Sequence, residues 1–209
     1  MGEGCEGLRR QAGLTRVNVA AAEVLEFWFG APGSAVHGQS RAEWFRKSAA
    51  FDREIGQRFG PLIERALRVE LTAWDASAES ALARILLLDQ FTRNVFRGTP
   101  RAFAGDALAL AAAQSMVAAR QDQALLPVQR MFAYLPFEHA EDLHLQDESV
   151  RLFTELAADA PALDTIVDYA HRHRAVIVRF GRFPHRNAAL GRASTPEELA
   201  FLETPGSGF

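Results

Sequence analysis

Apolar residues recur along this chain at three- and four-residue spacings, the period of helices that each bury one face. Ala20 to Phe29 reads as a first helix. Gly30-Ala31-Pro32-Gly33 ends it, because glycine permits a left-handed cap and proline cannot continue a helix. Arg41 to Phe59 reads as a second, with Trp44, Phe45, Phe51, Ile55 and Phe59 apolar. Gly60-Pro61 marks its predicted end, with Pro61 in the first turn of a helix reaching about Trp74. Glu79 to Gln90 is apolar almost all round, which predicts a central helix. Thr99 and Pro100 suit the N-cap and first position of an alanine-rich helix extending to about Arg120. Further helices are expected over Pro127–Leu135, broken near Pro136, then over Phe137–Leu145 and Ser149–Ala158. Pro161 opens a long helix striped by Ile166, Ala170, His173, Ile177 and Phe180 and stopped by Gly181. Thr195-Pro196-Glu197-Glu198 spells a capping box for a short last helix.

No segment alternates apolar and polar residues between hairpin turns, so no sheet is expected. The expectation is one all-α domain of stacked antiparallel helical hairpins over residues 19–209, preceded by a flexible leader over 1–18. No clean repeat at solenoid periods is present. Hydrophobic residues make up 48% of the chain and charged residues 23%, values of a globular protein rather than a disordered one. A net charge of −3 argues against a basic nucleic-acid binder. One cysteine, Cys5, excludes an intrachain disulfide and a cysteine-rich zinc site. No apolar run is long enough to span a bilayer, and Arg16 and Asn18 interrupt any signal-peptide core, so a cytoplasmic protein is expected.

Three stretches carry candidate chemistry. Asp89 follows Leu82, Ile85 and Leu86 at helical spacings, which places a carboxylate on a buried face. A buried carboxylate needs a partner, and Arg93 stands one turn on, with Asn94 beside it. The pair is either a structural pin or the edge of a pocket. Glu138, His139 and Glu141 lie near a chain break and suit general acid–base work. Glu141-x-x-His144 and Asp168-x-x-His171 share the spacing of di-metal bundles, yet no further inward carboxylates can be assigned, and solvated acids are the plainer reading. From His171 to Arg192 come arginines 172, 174, 179, 182, 186 and 192 and histidines 171, 173 and 185, with no acid. Arg179, Arg182 and Arg186, with His185 and Asn187, could hold a phosphate or carboxylate. Alternatively, the acids between Glu138 and Asp159 neutralise them. His173, on an apolar face, reads as a core histidine as readily as a ligand contact.

These stretches also carry a resemblance. Val24-Leu25-Glu26-Phe27-Trp28-Phe29-Gly30, the Leu-Leu-Leu-Asp-Gln-Phe run at 86–91, Phe96-Arg97-Gly98-Thr99-Pro100, Tyr134-Leu135-Pro136-Phe137-Glu138-His139 and the run from Arg179 to Asn187 resemble the bacterial proteins grouped as domain-of-unknown-function family 924. The resemblance runs from Val24 to the C-terminus and implies a tetratricopeptide-like helical fold, but no reaction. Thr92 stands where that pattern usually has proline and Ala140 where it usually has serine. The first departure is expected to loosen the turn after Asp89, and the second removes a hydroxyl from the candidate pocket.

No nucleophile elbow, phosphate-binding loop, dinucleotide fingerprint or zinc-protease motif is present, and no cofactor or metal is expected. Two functions compete. One is a binding module whose concave surface or pocket takes an acidic small molecule or a peptide. The other is an enzyme acting on an anionic, phosphorylated or carboxylated small molecule, with arginine anion holders and Glu138, His139 or His185 as acid–base groups. An enzyme needs the Asp89, Glu138-His139 and Arg182-His185 segments to converge on one closed pocket, whereas a peptide-binding module shows an open groove with these groups spread or mutually paired. Oligomeric state is left open.

Overall fold

The computed structural model describes residues 18–208. Of the expected leader, residues 1–17 lie outside the described residues, and Asn18 belongs to the fold as a cap. Its Oδ1 accepts the Ala20 N–H at 3.1 Å and opens α1, Val19–Phe29. The chain continues through α2 (Ala49–Leu67), α3 (Ala78–Leu86), α4 (Thr92–Val95), α5 (Asp106–Ala118), α6 (Pro127–Glu138), α7 (Leu143–Asp159), α8 (Thr165–Phe180) and α9 (Pro196–Leu202). The described residues contain no strand.

α3 is buried at every position except Glu79 and packs against α1, α5 and α6, the central place its sequence predicts. Trp28, Trp44, Phe91 and Phe132 meet beside it, with Trp44 edge-on to Phe132 at 4.8 Å. α6, α7 and α8 pack successively through short connections, which makes neighbours antiparallel. Asp147 near the start of α7 accordingly pairs with Arg174 in the second half of α8. α8 ends as its sequence requires: Gly181 is left-handed at φ 67° and returns its N–H to Ile177 O at 2.8 Å. The Thr195–Glu198 capping box forms in both directions.

Several expected boundaries move. The helix expected from Arg41 begins as a 3₁₀ turn over Ala42–Phe45, and α2 starts afresh under a Ser48 cap. α2 then runs straight through Gly60-Pro61. Ile55, Phe59, Ile63 and Ala66 continue one buried stripe across the proline, which sits on the solvent side, where water can take the Gln57 carbonyl it leaves unbonded. Likewise, α6 continues through Pro136 to Glu138. Thr99 directs its hydroxyl to Phe96 O, so Pro100 opens only a 3₁₀ turn, and α5 begins at Asp106. Of the two helices expected over 137–158, Phe137 and Glu138 close α6, and residues 143–158 form one helix, α7, capped by Asp142. Pro161 opens a short 3₁₀ turn before α8. Between α3 and α4 the helix widens into a π-turn over Leu87–Phe91.

Candidate functional site

The π-turn is the local irregularity from which the site grows. Widening the helix by one residue releases backbone groups from the regular ladder. Thr92 directs its buried hydroxyl to Leu88 O at 2.7 Å. The turn is therefore tied rather than loosened, correcting the sequence expectation. Gly105 approaches the same carbonyl so closely that an added Cβ would lie 2.2 Å from Leu88 O. That contact presses the start of α5 onto the π-turn and brings Asp106 beside Arg93.

Asp89 is wholly buried, as its spacing predicts. Its Oδ1 accepts from Arg93 Nη1 at 2.9 Å and from His139 Nδ1 at 2.7 Å, while Oδ2 accepts from Gln90 Nε2 at 2.6 Å. Burial alone would raise this carboxyl; the Arg93 charge and the His139 and Gln90 contacts outweigh it and hold Asp89 well below the usual carboxylate range. Arg93 forks onward to Asp106 at 2.8 and 3.0 Å. Arg186 reaches the same Asp106 at 3.2 Å and donates to His139 O at 2.9 Å, its guanidinium lying over the Phe103 and Phe183 rings. Burial, then the nearby Arg93 charge, lowers Arg186 to about 10, so it stays cationic at neutral pH.

His139 terminates α6. Gln146 of α7 fixes this corner by donating to the Glu138 and Ala140 carbonyls at 2.6 and 2.8 Å. Glu141 ties it to the chain after α8, accepting the Phe183 N–H at 2.8 Å and pairing with Arg192 at 2.6 Å. Burial and the Arg93 charge depress the His139 imidazole. The ring is thus neutral, donates from Nδ1 to ionised Asp89, and carries its lone pair on Nε2, which makes no hydrogen bond among the described residues. Behind it, Glu138 is 4% exposed and lies 3.3 Å from His173 Nδ1. Burial, then the Asp89 charge, raises Glu138 to about 8, leaving it protonated at neutral pH. Burial lowers His173 to about 3 and His185 to about 4, so both are neutral.

This cluster opens on a cleft of about 310 Å³. His139, Asp106, Glu141 and Arg186 form its polar side, and Leu110, Pro136, Ala140 and Leu145 its apolar side.

Of the residues nominated from sequence, Asp89, Arg93, Glu138, His139, Glu141, His173, His185 and Arg186 gather around this corner. Of these, His139, Glu141 and Arg186 line the cleft and the others stand behind it. The remaining four lie elsewhere. Asn94 donates to Asp52 on α2 at 2.7 Å. Arg179 pairs with Glu197 on the surface, and Arg182 with Glu198 and Ala193 O. Asn187 is buried between Ser194, Glu198 and Arg192. The acids that neutralise the basic stretch come mainly from α9 and α5, with Glu141 and Asp147 the contributions from the expected acidic segment. Asp106, Gln90, Gln146 and Arg192 were not nominated. Asp106 reads in sequence as an ordinary first-turn acid, and only Gly105 before it hints at a close approach. Among the described residues no group of three or more His, Cys, Asp or Glu is placed to hold a metal ion, and no helix is long and apolar enough to cross a membrane.

Fold and site together define an all-helical protein with a buried aspartate–histidine centre at one cleft. The chain belongs to the family described as bacterial protein of unknown function, DUF924, whose sequence pattern matches residues 24–206. It is similar to a solved structure of a protein of unknown function, ATU0120, from Agrobacterium tumefaciens. The two are 42% identical, with a TM-score of 0.77 over 88% of this chain and 97% of that one. No curated protein matches the chain.

Proposed function

We propose that the protein binds a small acidic molecule in the cleft over His139. The observation that carries this reading is the convergence of three distant stretches, at Asp89, Glu138-His139 and His185-Arg186, on one corner from which His139 and Arg186 reach a cleft. Mixed polar and apolar walls around about 310 Å³ suit a small molecule better than an extended peptide. Thermal unfolding across a panel of carboxylated and phosphorylated metabolites tests it. A ligand at a hundred times its dissociation constant stabilises the fold by about 2.7 kcal/mol. Ala140→Leu, which fills the cleft without touching a charge, should abolish the shift. If no acid stabilises the wild type, or if the filled variant responds equally, the reading fails.

An enzyme acting on the same class of molecule is favoured by one observation, the Asp89–His139 contact, which fixes the imidazole tautomer and leaves Nε2 as a base. Incubating each panel compound with stoichiometric protein and following its consumption by mass spectrometry decides between capture and turnover.

A further inference from the structure

The proposed ligand site has an unusual charge balance, from which its ligand chemistry follows. Every cation facing His139 already has an anion. From the π-turn and α4 come Asp89 and Arg93, joined at 2.9 Å. From α5 comes Asp106, shared by Arg93 and by Arg186 of the turn after α8. From the corner after α6 comes Glu141, neutralised by Arg192. The remaining titratable neighbours, Glu138 on α6, His173 on α8 and His185 beside Arg186, are uncharged at neutral pH for the reasons given above. The centre therefore carries two arginines against two aspartates and the Glu141–Arg192 pair, with Asp142, the cap of α7, a further acidic residue on the cleft wall and no free guanidinium.

An anion entering this cleft alone would bring an uncompensated charge beside Asp106, Glu141 and Asp142, which is unfavourable. One group in the cleft can compensate it. His139 lines the cleft with Nδ1 committed to Asp89, and its Nε2 makes no hydrogen bond among the described residues. Protonation of Nε2 would set an imidazolium between two carboxylates, Asp89 on one edge and the ligand on the other. The apolar side of the cleft, Leu110, Pro136 and Leu145, leaves room for a hydrocarbon body but supplies no second anion holder.

We propose that the cleft takes a small amphiphilic monocarboxylic acid, and that one proton is taken up on His139 Nε2 as the carboxylate binds. This rests on the cleft being a ligand site. The empty-site imidazole is depressed by burial and by Arg93, and a carboxylate at hydrogen-bonding distance acts in the opposite direction. Linkage then requires affinity to fall about tenfold for each pH unit of increase while uptake is complete.

Calorimetric titration of the full chain with butyrate and benzoate tests this, with butyramide as the neutral control. Measurements in PIPES and in Tris at one pH near neutrality give the protons exchanged per ligand from the difference in observed heats. The expected results are uptake of about one proton, roughly tenfold weaker binding at pH 7.5 than at 6.5, and no binding of butyramide. His139→Asn keeps a donor for Asp89, because its amide replaces Nδ1, but removes Nε2. If its melting curve shows it folded, it should bind neither acid. Binding of the monocarboxylates with no proton exchange overturns the inference and leaves the ligand site standing. So does unchanged uptake in His139→Asn, which assigns the proton elsewhere. Binding of inorganic phosphate but of neither monocarboxylate overturns the ligand class alone. If no acid binds at all, the ligand site itself fails.

Discussion

His139 Nδ1 lies 2.7 Å from Asp89 Oδ1, a contact across fifty positions of sequence. It joins the end of α6 to the π-turn after α3. The carboxylate has no water to fall back on, so its three donors are its only compensation.

Removing that carboxylate should be costly. Asp89→Ala leaves Arg93 and His139 facing an apolar void, and breaking a buried pair typically costs about 3–5 kcal/mol. A clear drop in melting temperature is expected, and a wild-type unfolding curve would refute the assignment.

Glu138 makes stability depend on pH. Its folded carboxyl is raised to about 8 from 4.5, so the unfolded chain gives up this proton first as pH rises. Stability should therefore fall from about pH 4.5 to about 8, by up to roughly 1.4 kcal/mol per unit. His173 and His185 act oppositely: lowered to about 3 and about 4 from 6.5, they remove stability as pH falls below 6.5. Urea titrations should show a maximum near pH 6.5 and a decline toward 8. Glu138→Gln should flatten the decline and keep the acid limb. A variant with the wild-type decline would place the titrating group elsewhere.

Gly105 is required by close approach. A Cβ there meets the Leu88 backbone at 2.2 Å, and backbone cannot swing aside as a side-chain end can. Gly105→Ala should destabilise by about 1–3 kcal/mol despite alanine's better helix propensity. Because α5 must back away, Asp106 should also separate from Arg93. Equal or greater stability by chemical denaturation would contradict the packing.

Arg182 should prove structural. It joins the chain after α8 to Glu198 in α9 and lies outside the cleft. Arg182→Ala is expected to speed amide hydrogen exchange over residues 196–202 and to leave ligand affinity unchanged. Slow exchange there with lost affinity would return Arg182 to the site.

Much of this molecule follows from local physics and was readable along the chain. The all-helical fold comes from three- and four-residue apolar spacing. The central position of α3 comes from its lack of a wet face, the stop at Gly181 from a left-handed cap, and the start of α9 from the Thr195–Glu198 box. Burial of Asp89 and its pairing with Arg93 were also legible, because i, i+4 neighbours share a face. Prolines misled where burial of the remaining face outweighed one lost hydrogen bond, as at Pro61. Long-range partnership was not legible. Nothing near Arg182 in sequence selects Glu198 over Glu138, and nothing near Asp106 announces two arginines. Those pairings depend on which helix ends meet, and the meeting is decided by packing the whole core. The helix pattern thus belongs to the sequence itself. Tertiary structure decided that buried Asp89 meets His139 and that His139 and Arg186 line one cleft, because charge pairing acts over ångströms in space and is indifferent to separation along the chain.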